Sequence, residues 1–213
     1  KKKIIEEGAK TTKDLPKGCT VDVTIRGTEI YITYNDPSGT IDGYLEAVSG
    51  FTINDKTIFE VSDVEATKGY GPLLYDILLE IAHTHFNGGV SAARKLVSQD
   101  AKNIWDFYLN NRSDVKAIQM DLDKATIQKY KPVGLKQLTK STSDDTTQFA
   151  SVEYAAGMGN WKKYSTSKRG ANARKNPELS RKWHEQSISK YYVKKNDKNL
   201  KALKKMKKLN IDK

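Results

Sequence analysis

The residues best suited to chemistry lie in Lys68-Gly69-Tyr70-Gly71-Pro72, between a strand-like run, Ile58 to Val64, and an apolar run of helical spacing that begins at Leu73. Two glycines one residue apart allow a backbone to approach a ligand without interference from Cβ atoms. A proline suits the first helical position, where its missing N–H has no intrahelical partner to lose. Strand, loop of free N–H groups and helix N-terminus together make a place for a phosphate or pyrophosphate. A plain strand-to-helix turn would need the same residues, so the neighbouring sequence has to decide. Competing signatures are absent. No Gly-Lys-Ser/Thr follows the glycines as in a Walker loop, and no Gly-x-Ser-x-Gly occurs. His83, His85 and His184 with the lone Cys19 do not make a zinc ligand set, so no metal is expected.

The elements that must position this loop can be read from periodicity. Cys19 to Ile25 and Glu29 to Tyr34 read as strands about the turn Arg26-Gly27-Thr28. After the turn-rich Asn35 to Gly39, Thr40 to Val48 forms a third strand, with Ile41, Gly43, Leu45 and Ala47 on one face. Ser49 to Asn54 turns into a fourth strand, Lys56 to Val64, giving an antiparallel meander. Pro72 to His85 is then a helix with Leu74, Ile77, Leu78 and Ile81 on one stripe, ended by Asn87-Gly88-Gly89. Val90 to Val97 reads as a short strand. Ser98 is placed to cap a second helix, Gln99 to Asn111, with Ala101, Ile104, Trp105 and Tyr108 on one side. Val115 to Leu122 and Gln148 to Ala155 read as further strands, and 123–147 as loop. A helix from Asn176-Pro177-Glu178 to Tyr192 and a last helix capped by Asp197 complete the pattern. That last helix carries Leu200, Leu203, Met206 and Leu209 among lysines.

Charge divides the chain unevenly. The 213 residues carry a formal net charge of +11, yet residues 161–213 hold 18 Lys/Arg against 4 Asp/Glu and residues 1–160 hold 19 against 22. The expectation is a slightly acidic body, 1–160, with a basic C-terminal extension, 161–213, that meets a polyanion. Lys162, Lys163, Lys168, Arg169, Arg174, Lys175, Arg181 and Lys182 are the candidate nucleic-acid contacts. Trp161, Tyr164, Trp183, Tyr191 and Tyr192 lie among them, as on surfaces that pair phosphate contacts with base stacking. No apolar run reaches the ~20 residues that span a bilayer, and no leader is expected in Lys1-Lys2-Lys3-Ile4-Ile5. The single cysteine fits a reducing compartment.

The order of elements, with the two stretches Lys68 to Tyr75 and Val97 to Arg112, resembles the GNAT superfamily of N-acetyltransferases, and most nearly small GNAT-like proteins encoded by bacteriophages. The resemblance spans roughly residues 18–156. It implies an α/β (α+β) fold with a mixed, mostly antiparallel twisted sheet and flanking helices. It also implies acyl transfer from acetyl-coenzyme A or another acyl-coenzyme A to an amine, in the cytoplasm of a host cell or in association with a virion. The pyrophosphate would then rest on the amides around Lys68, Gly69, Tyr70 and Gly71. Where the family carries Gln or Arg three residues before the first glycine, this chain has Ala66. Its register puts Trp105 at the tyrosine that serves as acid to the departing thiolate, with Tyr108 one turn on. The transfer also needs a base for the amine, and the candidates are Glu60, Asp63 and Glu65 at the end of the fourth strand. Strand alternation predicts Glu60 on one face and Asp63 and Glu65 on the other. The alternative is a GNAT-fold phage protein without catalysis, acting through its basic extension as a nucleic-acid-binding or structural module.

Overall fold

A computed structural model describes residues 10–53, 56–67, 69–93, 97–120 and 185–212. Eight strands form one sheet: β1 Thr20–Arg26, β2 Glu29–Asn35, β3 Ile41–Ile53, β4 Lys56–Ala66, β5 Gly89–Ser91, β6 Val115–Gln119, β7 Lys190–Lys194 and β8 Leu209–Asp212. They stand in the order β6-β7-β5-β4-β3-β2-β1-β8. Neighbours are antiparallel except for β4 with β5 and β1 with β8. Among the described residues three helices accompany the sheet: α1 Gly71–Phe86, α2 Gln99–Asn111 and α3 Lys198–Lys205. The architecture is therefore mixed α and β around a mostly antiparallel sheet, as the alternating sequence pattern requires.

The meander β1 to β4 follows from period-two burial. Val21, Val23, Ile30, Ile32, Leu45, Ala47, Phe59 and Val61 are all buried on the face that receives α1. Each of these side chains except that of Ala47 contributes about 1.5–3 kcal/mol on leaving water. Helix α1 is buried nearly all round, from Leu73 to Ala82, because the sheet lies on one side and α2 and α3 on others. Trp105 of α2 meets Tyr75 edge-on at 5.2 Å and stacks on Tyr192 of β7 at 5.0 Å. At the end of α1, Asn87 takes the left-handed conformation at φ 49° that closes the helix. Gly88 follows, where a Cβ would come within 2.0 Å of the Thr57 carbonyl oxygen.

Several expectations change. Strand β3 runs on to Ile53, through the stretch expected to turn from Ser49. Ile41 is 59% exposed rather than in the face of Leu45 and Ala47, because the pairing of β2 with β3 shifts register between Tyr34 and Asn35 and ends the alternation there. Strand β5 spans three residues instead of Val90 to Val97. Lys190 to Tyr192, expected to finish a helix, form β7 after a short 3-10 turn at Ser187–Ser189. Tyr-Tyr-Val favours a strand, and its pairing to both β5 and β6 satisfies the backbone.

Residues 185–212, expected in the basic extension, lie in the sheet and its helix layer. Strand β7 sits between β5 and β6, and β8 pairs with β1 at the far edge. Helix α3 begins after Asp197 as read, but ends at Lys205, so only Leu200 and Leu203 of its stripe are buried. Met206 is 37% exposed and Leu209 belongs to β8. The expected strand Gln148 to Ala155 and the loop 123–147 lie outside the described residues. Among the described residues, no helix is long and apolar enough to cross a membrane, and no group of three or more His, Cys, Asp or Glu is placed to hold a metal ion.

Candidate functional site

The glycine loop joins the end of β4 to the start of α1, and its geometry is set locally. The Tyr70 N–H donates to the Thr67 carbonyl at 3.0 Å, closing a turn in which Gly69 has φ +95°, a conformation other residues rarely adopt. Thr67 is tied back to β3 through its N–H and Oγ1, 3.2 and 2.6 Å from the Asp42 carbonyl. From outside, the Lys10 N–H donates to the Gly69 carbonyl at 2.9 Å. Lys10 Nζ lies 4.5 Å from the Tyr70 ring centre, a cation over a π face. Tyr70 itself points inward. It is buried, leans on Tyr34 at 4.5 Å and donates to the Asp14 carbonyl at 3.0 Å. Its side chain is thus the anchor of the loop, and its N–H is consumed by the turn.

The donors that remain are the N–H groups of Gly71 and Leu73. Neither has an acceptor among the described residues, Pro72 has no N–H, and no side chain caps the helix. Gly71 has no positive φ, and a Cβ there would meet only Ile104 Cδ1, at 4.0 Å, among the described residues. The fold requires glycine at 69; it does not require it at 71. Lys68 lies outside the described residues, as do Lys162, Lys163, Lys168, Arg169, Arg174, Lys175, Arg181 and Lys182.

Beside this helix start, the sheet opens. Strand β5 pairs with β4 only from Ile58 to Glu60, after which β4 continues to Ala66 without a described strand on that flank. In the same stretch β4 carries a bulge. Glu46 pairs with Asp63 and Ala47 with Val61, leaving Ser62 over. The extra residue resets the alternation, so Val64 and Ala66 continue the core face of Phe59 and Val61. It also corrects the expected arrangement of the carboxylates: Glu60, Asp63 and Glu65 share the opposite face, across from Val48, Glu46 and Tyr44 of β3. The Tyr44 hydroxyl donates to Asp63 at 2.7 Å, and this bond, with Asp63, Glu65 and Glu46 around it, pushes the phenol above its ordinary range.

Tyr108 is buried beneath the first turns of α1. Its hydroxyl donates to Asp76 at 3.0 Å and lies 3.4 Å from the Pro72 carbonyl, and the Arg112 guanidinium lies 5.2 Å from the ring centre. Burial first, and the Asp76 charge second, hold this phenol well above its usual range, so it keeps its proton at neutral pH. Trp105 is packed rather than polar, sealing Tyr75 against Tyr192.

A buried charge network, unread in the sequence, ties the C-terminal part to this core. Glu80 of α1 is wholly buried. It pairs with Lys194 of β7 at 2.8 Å and accepts from the N–H groups of Asn199 and Leu200 at 3.2 and 2.9 Å, and from Asn199 Nδ2 at 3.0 Å. It therefore caps α3 from another helix. Arg112 bridges Asp76 at 3.1 Å and Asp114 at 2.7 Å, holding the Asp114 carboxyl well below the usual carboxylate range. An acid inside the apolar stripe of α1, Glu80, was the one signal in the sequence for such a network. Against family models, curated proteins and solved structures, the chain gives no match.

Proposed function

We propose that this chain is an acyl-coenzyme A-dependent N-acyltransferase of GNAT-like topology. The observation that carries the reading is the end of β5 at Ser91, which leaves β4 from Val61 to Ala66 without a described strand on that side, beside a helix N-terminus with no side-chain cap whose first residue, Gly71, is glycine for no reason internal to the described residues. Two converging N–H groups and the positive end of α1 suit a pyrophosphate. The flank of β4 beyond Glu60, beside which no strand lies among the described residues, would offer backbone groups to an extended chain such as the pantetheine arm. The element order β1-β2-β3-β4, glycine loop, α1, β5, α2, β6, β7, with β7 inserted between β5 and β6, supports the same reading.

In the transfer, the amine nitrogen bonds to the thioester carbonyl carbon, its proton passes to a carboxylate of β4, and the C–S bond breaks. The coenzyme leaves as a thiol after gaining a proton. Glu60 stands where β5 ends beside β4, and Tyr108 keeps a proton beneath the first turn of α1. A thermal-shift titration with acetyl-coenzyme A tests the reading. Ligand at about 100 times its Kd adds about 2.7 kcal/mol to the folded state, and Gly71→Asp should abolish that rise while leaving the unliganded midpoint in place. A wild-type midpoint that does not move with acetyl-coenzyme A or coenzyme A refutes it.

A further inference from the structure

Residues 10–18 and 197–208, far apart in the sequence, meet near the β8 edge of the sheet and bring their lysines together. Helix α3 packs on the short 3-10 turn Thr12–Asp14. Just past α3, Lys208 Nζ donates to the Leu15 and Pro16 carbonyls at 2.9 and 2.5 Å, and the Lys208 carbonyl accepts from the Val21 N–H at 2.8 Å. The two segments hold nine lysines against two aspartates. Both aspartates are already engaged, Asp14 by the Thr11 N–H and hydroxyl at 2.7 and 2.8 Å, and Asp197 by Lys201 at 2.9 Å. Lys13, Lys17, Lys198, Lys204, Lys205 and Lys207 are exposed, and none makes an ion pair with a described residue.

The sheet separates this charge from acids on its other side. Leu200 and Leu203 join the core with α1, which sets α3 on the helix side. Asp22, between the buried Val21 and Val23, lies on the opposite face with Glu46, Asp63 and Glu65. The make-up of the basic surface selects its partner. Every cation in the two segments is lysine, a point charge that attracts phosphate without the two-pronged grip by which arginine reads guanine. Neither segment holds an aromatic side chain on which an unpaired base could stack. Tyr191 and Tyr192, expected from sequence to stack on bases, are buried in β7. Because Leu200 and Leu203 turn inward, α3 has no apolar stripe left to lay into a membrane. We infer that α3 and residues 13–17 dock the phosphate backbone of a nucleic-acid duplex without reading its bases. The inference does not depend on the acyl-transfer reading.

The full chain is titrated by fluorescence anisotropy with a duplex DNA of about 20 base pairs, and with one of its single strands, over a range of salt. Saturable duplex binding is expected, no weaker than that of the single strand. Neutralising about five phosphates gives a log–log salt slope of about −4.5. Lys13→Gln, Lys198→Gln and Lys205→Gln together should shallow that slope by about 2 to 3 and weaken binding about a hundredfold near 0.1 M salt. The thermal midpoint should hold, since exposed substitutions each shift stability by no more than about 0.5 kcal/mol. Arginine at the same three positions should keep both slope and affinity. Absence of saturable duplex binding, or binding indifferent to the three glutamine changes, overturns the inference. So does tighter binding to the single strand, or to vesicles containing phosphatidylserine, at equal salt.

Discussion

Glu80→Ala should come close to unfolding the protein, and the structure says by how much. The substitution strips Lys194 of its nearest anion at 2.8 Å, leaving Asp76 at 3.4 Å, in a place where the lysine side chain is 2% exposed. Breaking a buried pair from one side costs about 3–5 kcal/mol. It also leaves the N–H groups of Asn199 and Leu200 without their acceptor at the start of α3, each worth about 1–3 kcal/mol when buried and unpaired. These terms overlap, and the nearby Asp76 softens the first, so a loss of about 4 kcal/mol is expected. Against a total of about 5–15 kcal/mol, that is severe. With a urea slope of about 2 kcal/mol per M, the midpoint should fall by about 2 M. Lys194→Met should cost less, about 3 kcal/mol, because Glu80 keeps its three donors from Asn199 and Leu200. The pair Glu80→Leu with Lys194→Met should lose less than the sum of the single changes, since neither charge is then stranded. A urea midpoint for Glu80→Ala within about 0.5 M of wild type would mean that the pair contributes nothing, and that α3 is not held by α1.

Gly71→Ala should leave stability unchanged or raise it by about 0.4–1 kcal/mol, because the added methyl has room and stiffens the unfolded chain; Gly69→Ala, at φ +95°, should lose about 1–2 kcal/mol. Paired thermal melts separate the two. Tyr108→Phe deprives Asp76 of a donor, for a loss of about 1 kcal/mol; if Tyr108 also protonates the thiolate, turnover falls by roughly 10²–10⁴-fold at unchanged cofactor affinity, and an equally active variant shows that it only packs. Asp114, whose folded pKa lies below its unfolded value of about 3.9, contributes stability at all pH values above that range, and the contribution is lost as pH falls through the folded value. In acid titrations Asp114→Asn should therefore lie nearer to wild type below about pH 3 than at pH 7, and a constant gap between them would refute the assignment. Charge reversal at Lys162, Lys163, Lys168 and Arg169 should reduce retention on a DNA or RNA column at low salt and shallow its salt slope. Deleting 161–213 is no substitute, since it removes β7, α3 and β8 and should unfold the sheet.

What the sequence made legible was what local periodicity encodes. Strands β1 to β4, α1 and α2 bury side chains at regular spacing, and the cap at Ser98, accepting from the Ala101 N–H at 3.2 Å, follows from its neighbours alone. The bulge at Ser62 could not be read this way. No glycine or proline marks it, and only the pairing with β3 reveals that the carboxylates of β4 lie on one face. Strand β7 was hidden by composition. Lysines at 190 and 194 flank Tyr-Tyr-Val, and a charged residue is assigned to the surface unless its partner is known. For Lys194 the partner is Glu80, placed far off in the chain and itself disguised inside an apolar helix stripe. The same reasoning bears on the basic C-terminal quarter of the chain. A count of lysines cannot separate a solvated tail from a strand whose charge is neutralised in the core. In 185–212 both kinds of lysine occur: Lys194 is buried against α1, while Lys201, 75% exposed, pairs with Asp197 one turn away. Net charge therefore bears on partners only after the charges satisfied within the fold are set aside. Here the lysines on the outer side of α3 keep their charge exposed to solvent, and the expectation of a polyanion partner for this quarter rests on them and on the sequence of 161–184 alone.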